Sequence, residues 1–247
     1  MISFATLFKN ELKLNIRNMN MVIFAVFMPI VVLVVLGFIY GTKPASDGSA
    51  YTFLEQSFGA LCSISMCAGG LMGLPLVVSE YRERKILKRF RVTPVSPFKL
   101  LMVEFLIYAV YCIISVITLS IAAMLFWKVK IIGSLPAFLG SWLLTMISTL
   151  SIGMMVGGIA KNSKNASVIA CVLYFPMLIF SGATLPFEVM PTAMQKIVSV
   201  FPLTQGIWLM KLTFLGLPAA NIWLPIVVMS SVTVICTVIA VKFFKWE

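Results

Sequence analysis

Met21-Val-Ile-Phe-Ala-Val-Phe-Met-Pro-Ile-Val-Val-Leu-Val-Val-Leu-Gly-Phe-Ile-Tyr40 carries no charged residue. At about 1.5 Å of rise per residue, a helix of this length crosses roughly 30 Å of hydrocarbon. The run exceeds a signal-peptide core of about 7 to 15 residues and lacks a small-residue cleavage site, so it is expected to remain in the mature protein. Outward from it, comparable apolar runs recur at residues 58–78, 100–127, 135–160 and 222–241, and another begins near 166 and breaks near 181–182. The expected fold class is therefore all-α integral membrane, with six transmembrane helices in one domain, 1–247. The composition agrees: 61% hydrophobic and 11% charged residues, with a mean hydropathy of +1.06, exclude a soluble core.

The basic residues set the orientation. With six spans both termini share a side, and that side holds Lys9, Lys13, Arg17, the cluster from Arg82 to Lys99, Lys161, Lys164, Lys242 and Lys245, which is 14 of the 19 Lys and Arg. Short cytoplasmic loops accumulate Lys and Arg, so both termini are expected in the cytoplasm of a multi-pass plasma-membrane protein, bacterial by its character. The net charge of +11 then reflects topology and attraction to anionic lipid rather than nucleic-acid binding.

Catalysis within this chain has little to work with. There is no histidine, and the five cysteines, Cys62, Cys67, Cys112, Cys171 and Cys236, all fall inside expected spans without metal-ligand spacing. No catalytic residue, metal or cofactor is assigned to this chain. Of the eight acidic residues only Glu104 lies within a span. Its shallow position predicts pairing with a basic side chain or contact with water. Deep charges that would couple transport to an ion gradient are missing, as is a Gly-x-x-x-x-Gly-Lys-Ser/Thr phosphate loop, so work on a cargo requires a partner.

Three segments carry more than span character. At residues 1–20, Phe4, Phe8, Leu12 and Ile16 recur every four positions beside a stripe of Lys9, Lys13 and Arg17, the pattern of a helix lying at the membrane interface. Residues 80–97 place Ile86, Leu87 and Phe90 on one side of an expected amphipathic helix from about 80 to 91, ringed by basic residues, with Pro94 and Pro97 barring its continuation. Residues 181–204 contain Pro186, Pro191 and Pro202, which break any continuous helix, so short helices dipping into the outer leaflet against protein are expected.

The pattern Glu80-x-Arg82-x-x-x-x-Leu87-x-x-x-x-x-Thr93-Pro94-Val95-Ser96-Pro97 resembles the segment between the second and third spans of ABC-2 type transporter permeases. Phe180-Ser-Gly-Ala-Thr-Leu-Pro-Phe-Glu-Val-Met-Pro191 and Phe201-Pro-Leu-Thr204 carry the same likeness. It departs at Lys85, where the family often has Gly. The resemblance implies the transmembrane subunit of an ATP-binding-cassette exporter: a second permease chain, identical or homologous, and cytoplasmic ATPase subunits that use ATP and magnesium. It implies that 80–97 is a coupling helix, with Glu80, Arg82, Leu87, Thr93 and Pro94 as contacts and Phe90 on its apolar side. It also implies that 181–204 is a re-entrant hairpin near an extracytoplasmic exit. The second and fifth spans are expected to line the path, through Gly69, Gly73, Phe175, Phe180 and Ser181. A drug, an antimicrobial peptide or a lipid-linked molecule fits as cargo, so drug resistance is one expected setting. A non-transporting membrane scaffold that recruits a cytoplasmic partner through the basic loop is the alternative.

Overall fold

The structure is a computed structural model that describes residues 4–17, 22–45, 49–86, 97–181, 191–218 and 222–243. Its helices are α1 (Phe4–Arg17), α2 (Ile23–Tyr40), α3 (Phe53–Glu83), α4 (Pro97–Trp127), α5 (Leu135–Ile159), α6 (Ser163–Phe180), α7 (Thr192–Val198), α8 (Pro202–Leu215) and α9 (Trp223–Phe243). Among the described residues no strand forms, apart from one bridge between Pro44 and Thr52. Six helices, α2 to α6 and α9, are long and apolar enough to cross a membrane.

The second span is longer at both ends than its apolar run. Thr52 caps its start: the Thr52 hydroxyl accepts from the Glu55 amide, and the Glu55 carboxylate accepts from the Thr52 amide at 2.8 Å. The other Glu55 oxygen accepts from the Lys130 amide at 3.0 Å, which ties this cap to the connection between α4 and α5. A capping box satisfies two of the amide donors left over at a helix start, so the helix begins at Phe53 and Glu55 is buried within it. At the other end α3 runs on through Glu83, then turns at Arg84 and Lys85. Glu80 and Arg82 therefore belong to the last turn of the second span, which corrects the expectation of one separate helix from about 80 to 91. Leu87, Phe90, Thr93 and Pro94 lie outside the described residues.

Helix α3 occupies the middle of the bundle and packs on α2, α4, α5, α6 and α8. Its centre, Cys67–Gly73, is wound as a π-helix. There the backbones of α3 and α5 touch without intervening side chains, since a Cβ at Gly153 would collide with the Gly70 carbonyl oxygen; further along, a Cβ at Gly157 would lie 2.8 Å from the Val78 side chain. Small residues allow this close approach in a bilayer, where association cannot rely on expelling water.

Helix α8 is too short to span. Its 14 residues rise about 21 Å. Gly206 packs on Thr145, while Thr213 and Ser141 share a hydrogen bond of 2.9 Å. Phe214 stacks on Phe58 at 4.7 Å. The helix ends at Gly216, in the left-handed region with φ 65°. Amides of Ile132 and Gly133 donate to the Phe214 carbonyl, so the α4–α5 connection closes the end of α8. Because Thr145 lies partway along α5 and the Phe214 carbonyl meets the loop just before α5, α8 starts inside the bundle and finishes at the end where α5 begins.

Substituting Gly153→Ala is expected to destabilise the protein by about 1–3 kcal/mol, because a rigid backbone carbonyl must move to admit the methyl. Gly140→Ala, at a position with nothing within 4 Å of the new Cβ, is expected to be neutral or stabilising by a few tenths of a kcal/mol. Thermal unfolding of both variants in the same detergent checks the contrast.

Candidate functional site

The last turn of α3 sends successive side chains to different helices. Arg82 donates through Nη1 to the Ala160 carbonyl and through Nη2 to the Gly158 carbonyl at 2.9 Å. These carbonyls belong to the open end of α5, where the helix dipole favours a cation. Next in sequence, a Glu83 oxygen accepts from the Ser163 amide at 2.9 Å. Ser163 opens α6, whose first amides favour an anion, and Asn162 caps the same turn by accepting from the Asn165 amide at 2.8 Å. Arg82 and Glu83 therefore grip the two sides of the short α5–α6 connection, each at the helix end of matching polarity.

Tyr81 points elsewhere. Its hydroxyl lies 2.9 Å from Glu11 Oε2 on α1 and 2.8 Å from Glu104 Oε1 on α4. Asn15 of α1 donates to both Glu104 oxygens at 3.3 Å. Glu104 is 0% exposed. Its partners among the described residues are thus a tyrosine and an amide rather than a basic side chain. Glu80 forms an exposed i,i+4 pair with Arg84 at 2.7 Å, an interaction of small energetic weight.

The turn ends at Lys85, with φ 54°. A side chain in this left-handed region is unfavourable and glycine is the ordinary occupant after a helix end. The departure noted at Lys85 thus falls on a position whose backbone explains a preference for Gly.

Helix α1 faces the bundle through Leu7, Phe8, Glu11, Leu12 and Asn15. The four-residue apolar stripe is only half used, since Phe4 and Ile16 are exposed. Lys9, Lys13 and Arg17 are exposed as well. Glu11 and Asn15 turn the helix toward α4, and their role could be sought in sequence only by knowing what they face.

Of the expected path residues, Gly69 and Gly73 are buried inside this chain, and a Cβ at Gly69 would touch the Tyr108 ring. Phe175 is 53% exposed on α6, on a face shared with Val168, Val172 and Ile179. Phe180 is half-buried and Ser181 is buried with an unpartnered hydroxyl. Helix α6 seats Ala166, Ala170 and Met177 inward and packs on the π-helical part and last turn of α3, so the second and fifth spans are neighbours in one chain. The structure does not gather the five residues at one surface. Sequence reasoning missed Tyr81, Glu83, Glu11 and Asn15.

The chain matches the ABC-2 type transporter family over residues 2–215. It belongs to that family. An inner membrane transport permease of Escherichia coli (strain K12), YhhJ, is 30% identical over 145 residues, covering 58% of this chain and 38% of that protein. Nodulation protein J of Rhizobium leguminosarum bv. viciae is 34% identical over 100 residues, covering 40% of this chain and 36% of that protein. The matched regions thus span little more than a third of these relatives' length. As an ABC-2 family protein with six apolar helices, the chain is a multi-pass membrane protein.

Three outcomes are expected at this turn. Lys85→Gly should raise stability by about 1 kcal/mol by relieving the left-handed backbone, read from thermal unfolding. Arg82→Ala should lower it by about 1–3 kcal/mol, because it removes charged hydrogen bonds from the α5 carbonyls. Arg82→Lys should recover only part of the loss, since an ammonium lacks the guanidinium fork.

Proposed function

We propose that this chain is the permease subunit of an ABC exporter. Two such chains, identical or homologous, would pair in the membrane and move a hydrophobic or amphipathic cargo outward, driven by ATP and magnesium in separate cytoplasmic ATPase subunits. The observation that carries this reading is the last turn of α3, where side chains numbered consecutively from Tyr81 to Glu83 reach α1, α4, α5 and α6. Force applied just beyond Glu83 would be delivered to four helices at once.

In this reading the basic end is cytoplasmic, residues 80–97 form the coupling segment and α1 lies at the inner membrane surface, with Lys9, Lys13 and Arg17 toward lipid headgroups. Coupling contacts are Glu80, Leu87, Phe90, Thr93 and Pro94. Arg82 serves from the inside, holding the segment's root to α5. Residues 181–204, of which 182–190 lie outside the described residues, form the re-entrant element of the outer half; the start of α8 within the bundle supports this. The exposed face of α6 around Phe175 meets the partner permease or the path, and Gly69 and Gly73 serve the path by letting α3 pack closely and shift against α4 and α5. The family membership and the transport-permease naming of the Escherichia coli relative support a transport role.

The test is co-purification of an ATPase with the tagged chain from solubilised membranes, with residues 84–96 intact or replaced by a neutral linker. Association only with the intact segment is expected. Association unaffected by the replacement would remove the coupling assignment. A different, non-ATPase partner captured through the segment would favour a scaffold.

A further inference from the structure

The hydrogen bonds around Tyr81 require more protons than ionised carboxylates supply. A phenol oxygen carries one hydrogen, yet it sits 2.9 Å from a Glu11 oxygen and 2.8 Å from a Glu104 oxygen. Both separations are those of O–H···O hydrogen bonds. If both carboxyls were ionised, one contact would set oxygen against oxygen with no hydrogen between them. Sharing the single phenol hydrogen would place it off the line to both acceptors, where hydrogen bonds weaken steeply. No lysine or arginine pairs with either carboxyl among the described residues. We propose that Glu11, Tyr81 and Glu104 hold one additional proton among them, and that this proton operates a latch between α1 and the α3–α4 pair.

With the proton in place, one carboxyl donates to the Tyr81 oxygen while Tyr81 donates to the other, and α1 is fastened to the bundle. When the proton leaves for water, two negative charges face each other across one hydroxyl and α1 is released at this contact. No oxidant or further reactant is needed. A second observation extends the polar site inward. One and two turns along α4 from Glu104, the hydroxyls of Tyr108 and Tyr111 are buried and have no hydrogen-bond partner among the described residues. Buried hydroxyls ordinarily have a hydrogen-bond partner, from protein or ordered water.

The titratable groups facing the latch among the described residues are Glu11 on α1, Glu80 and Tyr81 on α3, and Tyr108 and Tyr111 on α4. The chain has no histidine, so the usual side chain for sensing pH near neutrality is absent and the latch would take its place. The sign follows from proton counting. Docked α1 holds the extra proton, whereas the released side chains give it up to water. Docking is therefore favoured at low pH and weakens as pH rises.

The test uses the full chain in lipid nanodiscs, with a nitroxide label at Lys13→Cys and infrared spectra of the unlabelled protein. Wild type is expected to show a protonated-carboxyl band, and its label is expected to gain mobility as pH rises from about 6 to about 9. Glu104→Gln, whose amide can donate without a borrowed proton, is expected to lose the band and keep the label immobile throughout; Glu11→Gln is expected to match it. Absence of the band in wild type would overturn the proposal, as would the same pH-dependent mobility in wild type and Glu104→Gln. If Glu104→Gln fails to fold, the wild-type band and Glu11→Gln decide the outcome. These readouts do not depend on ATPase association or cargo, so they stand apart from the exporter reading.

Discussion

Everything at the basic end depends on the pairing of Arg82 and Glu83 with the opposed helix ends of α5 and α6. A helix leaves carbonyls exposed where it stops and amides exposed where it starts. A short connection between two antiparallel helices therefore presents both kinds side by side. Adjacent residues of opposite charge on α3 meet both. Arg82 takes the α5 carbonyls and Glu83 takes the Ser163 amide. Because these partners are backbone groups, the contact depends on where α3 ends more than on which side chains line α5 and α6.

The centre of the bundle is held by a different means. Around Gly70, Gly153 and Gly157 the spans approach backbone to backbone, and hydroxyls on α5 turn inward to bond carbonyls one turn earlier, as Thr145 does to Ser141 and Thr149 to Thr145. Helices α2, α6 and α9 show much of their length to the surroundings, whereas α3 and α5 are enclosed. The chain thus consists of an inner pair fixed by small residues and polar end contacts, with outer helices free to meet lipid or protein. In the proposed exporter, the inner pair would transmit motion and the outer faces would receive the second permease.

Much of this was legible in the sequence for a physical reason. Spanning hydrocarbon demands length and apolarity, and those are local properties, so the apolar runs gave the six spans and nearly all their boundaries. The run at 58–78 ended too soon on both sides because Thr52, Glu55 and the last turn of α3 extend the helix through polar capping and partner contacts that apolarity does not report. The stretch at 80–85 was recognisable by pattern and Lys85 stood out as a departure from it, but the end of the helix at a left-handed Lys85 was not legible, because the pattern continued through it to about 91. Tyr81, Glu83, Glu11 and Asn15 were not legible, since each matters only through a group far along the chain. Glu104 was noticed for being charged within a span, but its partners on α1 and α3 could not be read from its neighbours in sequence.

The central claim of the proposed exporter is that the last turn of α3 and the α5–α6 connection would move as one body when the proposed coupling segment is driven. Nitroxide labels at Arg84→Cys and Lys161→Cys, both exposed positions, would report this by dipolar broadening in the proposed complex with an ATPase under nucleotide-free, ATP-bound and post-hydrolysis conditions. The account predicts the same broadening in every state. A change in broadening between states would show that α3 slides or separates from α5 during the cycle, which would contradict it.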